Sequence, residues 1–239
     1  RATNLDTDAL RLGRAIHTRL EFFENELEYL TRIIAEPKFN RATTVGKEGA
    51  AKWEQSLALM EKEGKIVLAQ KEWDEVEAMV AQLKAHPDGM ELLKAKGIAE
   101  ETFVWQDADT GVWCKARPDK RILQGPSKLF ENMIVDWKSV RAFDSLVDLS
   151  WEALKRHYHT KAAFISDGVK AVLGKDPGPF VNVFIEKGGL GRVVCAVLPE
   201  SDIEDGRRQY KEDLKAIAAA EKSNIWAGFV DLKLPTRAA

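Results

Sequence analysis

A chain of 239 residues with 36 basic and 38 acidic side chains has a net charge of −2, which excludes the strongly basic footprint of a bulk nucleic-acid binder. It leaves a nuclease open, because acidic metal ligands offset basic residues elsewhere in the chain. Hydrophobic residues make up 45% of the chain, enough for one full core, and no apolar run reaches the roughly 18 residues that a membrane span requires. Cys114 and Cys195 are far apart and form no CxxC pair, which argues against a zinc or iron–sulfur site and fits a reducing cytoplasm.

The start, RATNLDTDALRLGRAIH, has no apolar signal-peptide core and reads as a trimmed amino terminus. Thr7 is placed to cap a helix running to Leu20, in which His17 lies on a small and apolar face and Gly13, one turn earlier, allows another backbone to approach. Helices are predicted over Gly46–Gly64 and over Gln70–His86, with a break at His86-Pro87-Asp88-Gly89. From Glu101 the period changes to that of strands. Three are expected as a meander, over Thr102–Asp107, Val112–Leu123 and Met133–Trp137, separated by the turn residues 108–111 and 124–127. Ser150 is read as the cap of one long helix over 151–173. A hairpin of Phe180–Glu186 and Arg192–Leu198 follows around Lys187-Gly188-Gly189. A Ser201/Glu204 capping box then opens a helix to about Lys222, and Trp226–Leu234 is read as an edge strand. The expected organisation is one domain over 1–239, mainly helical over 1–98 and sheet-containing over 99–239, with no repeat and no interdomain linker.

The sharpest chemical feature is Ile134-Val135-Asp136-Trp137-Lys138. Side chains two apart in a strand share a face, so Asp136 and Lys138 project together from the end of an apolar run. A carboxylate beside an ammonium can hold a hard cation and orient a water against a phosphodiester. Alone, so short a motif reads first as a surface ion pair on an edge strand. Asp119, on the preceding strand, adds a second carboxylate within a hairpin's width, and two such groups can share one Mg²⁺. Lys115 and Arg117 alternate with Cys114 and Ala116 and are expected on the Asp119 face, open to DNA phosphates or to solvent.

Taken in order, Leu12-Gly13-Arg14-Ala15-Ile16-His17, Ala99 to Asp107, Thr110 to Asp119, Val135-Asp136-Trp137-Lys138-Ser139, Tyr158 to Phe164, Asp205 to Tyr210 and Trp226 to Phe229 resemble the PD-(D/E)XK domain of the exodeoxyribonuclease VIII (RecE-like) family and its phage-encoded relatives. The resemblance implies an α/β (α+β) restriction-endonuclease-like core, with a mixed central sheet flanked by helices and a helical amino-terminal region. It implies metal binding by His17, Asp119, Asp136 and the Trp137 carbonyl, catalysis by Asp119, Asp136 and Lys138, and Mg²⁺ or Mn²⁺ as the ion. It implies degradation of double-stranded DNA from its ends, 5′ to 3′, leaving single strands for recombination. A ring-like homo-oligomer and a single-strand annealing partner are implied as well, and no membrane. Glu100 occupies a recurrent position of that family, for which a structural hydrogen bond is expected. The family usually has Gln at the position of Lys161 and often Tyr at that of Ile165. Lys161 is expected to reach a DNA phosphate, and a nuclease-fold protein that binds DNA ends without cutting is the alternative.

Overall fold

The computed structural model describes residues 7–125, 127 and 130–226 of the chain. Thr7 accepts the Leu10 N–H at the start of α1 (Asp8–Glu21), as its residue type predicts. The apolar stripe Leu12, Ala15, Ile16 and Leu20 turns into the core, which leaves His17 half-buried at the stripe's edge. A Cβ on Gly13 would meet open space, so no backbone approaches there and the expected close contact is absent. After α2 (Glu26–Arg32) and β1 (Ile33–Ala35), the helices α3 (Thr44–Lys62) and α4 (Gln70–Ala85) fall where periodicity predicts them. The short strand β2 (Ile66–Leu68) lies between them and pairs in parallel with β1. The break at His86–Gly89 is instead the start of α5 (Pro87–Lys94). His86 Nδ1 accepts the Gly89 N–H, and Pro87 occupies the first helical position, where a missing N–H costs nothing.

Two further predicted elements are divided. The strand over 112–123 is two strands in different sheets, β5 (Trp113–Ala116) and β6 (Lys120–Gln124). β5 forms an isolated hairpin with β4 (Phe103–Gln106), so the three-strand meander is not formed. Pro118 lacks the N–H a ladder needs, and the in–out alternation fails there, since Pro118 and Asp119 are both buried. The long helix over 151–173 is α6 (Leu146–Lys155) and α7 (Tyr158–Leu173), with His157 at a left-handed φ of 55° between them. Ser145, reciprocated by Asp148, caps α6, while the Ser150 hydroxyl donates back to the Leu146 carbonyl. Similarly, α8 (Glu200–Ser223) begins after Pro199 without a side-chain cap, and Glu204 pairs with Arg207 rather than closing a capping box. The predicted edge strand lies, beyond Trp226, outside the described residues.

The central sheet has the order β3 (Lys96–Ala99), β6, β7 (Ile134–Val140), β8 (Phe180–Glu186), β9 (Val193–Val197). It is mixed. β7 and β8 run parallel, as only a long crossover permits, and α6 and α7 supply that crossover. The other neighbours are antiparallel, including the β8–β9 hairpin expected around Lys187–Gly189. Val135, Trp137, Val181, Val183 and Ile185 point to one face and pack against α1 and α4. Ile134 and Phe180 point to the other, against α7 with α8 outside it. The packing of α7 is close on two sides. A Cβ on Gly168 would strike the Trp105 ring of the hairpin at 2.4 Å, and one on Gly206 of α8 would strike the His159 carbonyl at 2.4 Å. Burying each large apolar side chain of these layers contributes roughly 1.5–3 kcal/mol, and the two layers hold the end of β7 rigidly between α1 and α7.

Candidate metal and nuclease site

The β6–β7 register pairs Lys120 with Val135, so one step further sets Asp119 against Asp136. Asp119 does not continue the ladder. Its Oδ2 accepts the Trp137 N–H at 2.7 Å, which leaves Oδ1 facing His17 Nδ1 at 3.3 Å. His17 comes from α1, yet its Nε2 lies 3.0 Å from the Trp137 carbonyl. The imidazole therefore spans two of the oxygens expected to ligate an ion. Donation to both requires a proton on each ring nitrogen, whereas the neutral ring donates to only one of them and leaves its other nitrogen free as a metal ligand. Burial works against the charged imidazole, but Asp119 outweighs it and raises the His17 pKa. Burial also opposes ionised Asp119, but His17, Lys138 and Lys161 hold its carboxyl well below the usual range.

Glu100 completes the group. Among the described residues, His17, Glu100 and Asp119 offer one ligand atom each within 4.8 Å of one another. Glu100 stands at a left-handed φ of 52°, where the chain enters the hairpin, and its amide donates to the Asp119 carbonyl at 3.1 Å. Its own carboxylate takes Arg117 Nε at 2.8 Å, and burial, with help from Asp119, raises its pKa against that guanidinium. The structural bonds expected of Glu100 are present, and the carboxylate also lies within reach of the His17 and Asp119 donors. Its placement depends on one backbone angle and a 19-residue return of the chain, neither of which is visible in a glutamate at a strand's start. The donor set of one imidazole, two carboxylates and an adjacent peptide carbonyl suits a hard or borderline divalent cation. It opens on a cleft of about 380 Å³ whose walls include Glu21, Lys94, Lys96 and Lys120.

Asp136 stands apart from this group. It is fully buried on the α7 face of β7, and each of its oxygens meets an ammonium: Lys161 Nζ lies 2.7 Å from Oδ1, and Lys138 Nζ contacts Oδ2. Lys138 shares the strand face of Asp136, as the two-residue spacing predicts, and its ammonium sits 5.2 Å above the Tyr158 ring. Burial lowers its pKa, with Lys161 adding repulsion and Asp136 opposing both. For Lys161, burial is outweighed by Asp136 and Asp119, so its pKa is raised. Beside Asp136 in the parallel register is Asn182, 1% exposed, with neither its amide nitrogen nor its oxygen hydrogen-bonded. No sequence signal marked it, since it reads as one polar residue in an apolar strand. Lys115 is exposed on β5 and takes no part in these contacts, whereas Arg117, equally exposed, reaches the group through Glu100. The two do not share the Asp119 face, because β5 ends at Ala116 and the in–out alternation is lost at Pro118 and Asp119, both buried.

The fold has a counterpart among solved structures. A protein from Eubacterium rectale, named as a putative exonuclease, superposes with a TM-score of 0.51 at 15% identity, over 80% of this chain and 71% of that one. No curated protein matches by sequence. The sequence profile of the PDDEXK-like domain of unknown function (DUF3799) matches residues 1–229. With its mixed sheet, flanking helices and the DxK strand at the sheet's centre, the chain belongs to that PDDEXK-like family.

Proposed function

We propose that this protein is a divalent-metal-dependent DNA exonuclease that hydrolyses phosphodiester bonds of linear double-stranded DNA. The observation that carries the reading is the convergence of His17, Glu100 and Asp119 beside the Trp137 carbonyl, one residue from Lys138. His17, Glu100, Asp119 Oδ1 and the Trp137 carbonyl would hold Mg²⁺ or Mn²⁺, and Asp136 would join them once an ammonium left it. When bound, the ion lowers the pKa of a coordinated water and offsets charge on the scissile phosphate. Lys138 Nζ, held by the Tyr158 ring and Asp136, donates to that water or to a phosphate oxygen as negative charge gathers there. Lys161 and Arg117, at the site's rim, and Lys115 on the hairpin are the candidates for backbone phosphates.

The likeness to the exodeoxyribonuclease VIII family supports the finer reading: action on duplex ends, 5′ to 3′, in a ring-like oligomer in the cytoplasm, with a single-strand annealing protein as partner. The test is digestion of a linear duplex labelled at either end, compared with a closed circle, in Mg²⁺, Mn²⁺ or EDTA. Release of the 5′ label first, with the circle intact, supports the proposal, and equal attack on the circle replaces exonuclease with endonuclease. The full occupation of Asp136 by two lysines favours a second reading, a DNA-end-binding protein of nuclease fold. Retention of labelled ends without cleavage in either metal establishes that one instead.

A further inference from the structure

Lys138 and Lys161 hold the same carboxylate, but they are not equivalent. The Lys138 side chain is 13% exposed and lies on the rigid strand β7, with its ammonium stacked on Tyr158. The Lys161 side chain is 42% exposed and rises from the first turns of α7. Its long unbranched stem can swing into the solvent without disturbing the core, which Lys138 cannot do. Asp136 itself is fully buried, so it cannot turn outward to find another partner. The β6–β7 register sets Asp136 opposite Asp119 of the group His17, Glu100 and Asp119, and of the two cations on Asp136 Lys161 is the movable one. A divalent ion that reached Asp136 Oδ1 would compete with the Lys161 ammonium for it, because two positive charges sharing one buried oxygen repel strongly.

We propose that Lys161 is a handover residue: it neutralises Asp136 while the seat is empty, and ion binding releases it to a phosphate of the DNA end. The inference rests on the metal-dependent reading above and adds a coupling to it. Occupation of the seat creates a phosphate contact, so the ion strengthens DNA binding and, by the reciprocity of linkage, DNA strengthens ion binding. An Asp136–Lys161 pair of purely structural value has no such consequence. Its loss costs stability and leaves unchanged whatever gain in ion affinity the scissile phosphate supplies by itself.

The experiment measures Mn²⁺ affinity by electron paramagnetic resonance titration, without and with a linear duplex ended in phosphorothioate linkages, for the wild-type chain, Lys161→Gln and Lys161→Arg. Without DNA, Lys161→Gln is expected to bind Mn²⁺ at least about tenfold more tightly, the lower end of what one neighbouring charge does to an ionisable group. With DNA, the wild-type chain is expected to gain Mn²⁺ affinity and Lys161→Gln to lose most of that gain, whereas Lys161→Arg, which keeps the charge, retains part of it. Equal Mn²⁺ affinity in wild type and Lys161→Gln overturns the handover and leaves the nuclease reading standing. Mn²⁺ bound by none of the three chains overturns both. Because Lys161 is an exposed helical side chain, the glutamine variant is expected to fold, and a Lys161→Met variant that repeats its affinities separates loss of charge from any new contact of the amide.

Discussion

The two aspartates of this site, Asp119 just before β6 and Asp136 on β7, have opposite surroundings. Asp119 commits one oxygen to the Trp137 N–H, a neutral donor, and turns the other to a histidine that can give up its proton. Asp136 has no neutral donor and is closed by two fixed charges, while the amide of Asn182 beside it is left unbonded. Asp119 is thus poised for exchange with the cleft, and Asp136 is locked from within. A carboxylate that faces one imidazole exchanges that partner for an ion more readily than one that is closed on both oxygens by ammonium groups. On the proposed function, this difference gives Asp119 the first hold on an ion and makes Asp136 the later ligand.

The most damaging way to probe that division is Asp119→Asn. It is expected to remove Mn²⁺ binding and to lower cleavage by about 1000-fold, as large an effect as removing one preorganised electrostatic group usually has. Asp119→Asn that still binds Mn²⁺ with wild-type affinity would reverse the order of the two carboxylates. Lys138→Ala is expected to cost about 100-fold in cleavage of a linear duplex at saturating Mg²⁺ while Mn²⁺ stays bound. Lys138→Arg should rescue little of this, because a planar guanidinium has a different reach and does not deprotonate. Near-normal cleavage by the alanine variant removes Lys138 from the chemistry. His17→Ala should weaken Mn²⁺ binding by about 10- to 100-fold, the scale on which groups that hold a metal site act. If calorimetric titration finds Mn²⁺ affinity intact and only the thermal midpoint lowered, His17 is a packing residue and the comparison loses its exchangeable side.

The smallest effect is expected away from the site, where Asp107 ties the β4–β5 hairpin to α8 through Lys211 and accepts the Thr110 N–H at 3.0 Å. Burial raises the Asp107 pKa, but Lys211 and Thr110 outweigh it and hold it below the ordinary value. A depressed carboxylate stabilises the fold above its unfolded pKa of about 3.9 and loses that contribution as pH falls through its folded value. Asp107→Asn should therefore lower stability by about 1–3 kcal/mol at neutral pH, and the gap from wild type should close on acidification below about pH 4. A gap that is constant with pH in thermal melts contradicts an ionic tie.

The DxK strand, the helix cap at Thr7, the helices α3 and α4, and the β8–β9 hairpin were legible because each follows from local rules of period, capping, composition and turn chemistry. The sharing of a face by Asp136 and Lys138 is a property of any strand and needed no tertiary information. The splitting of 112–123 into two sheets, the division of 151–173 into two helices and the opening of α5 at a proline were not legible. In each case the same residues satisfy two local descriptions equally well. The same holds for the site. Residue types alone marked Asp119, Asp136, Lys138 and, through family resemblance, His17 as candidates. Only the folded chain brings α1 to Trp137 across 120 positions, turns Glu100 inward on a left-handed backbone and puts Lys161 on Asp136. Those contacts depend on how helices dock on both faces of a sheet, and docking is a sum of many weak apolar contacts that no single motif records.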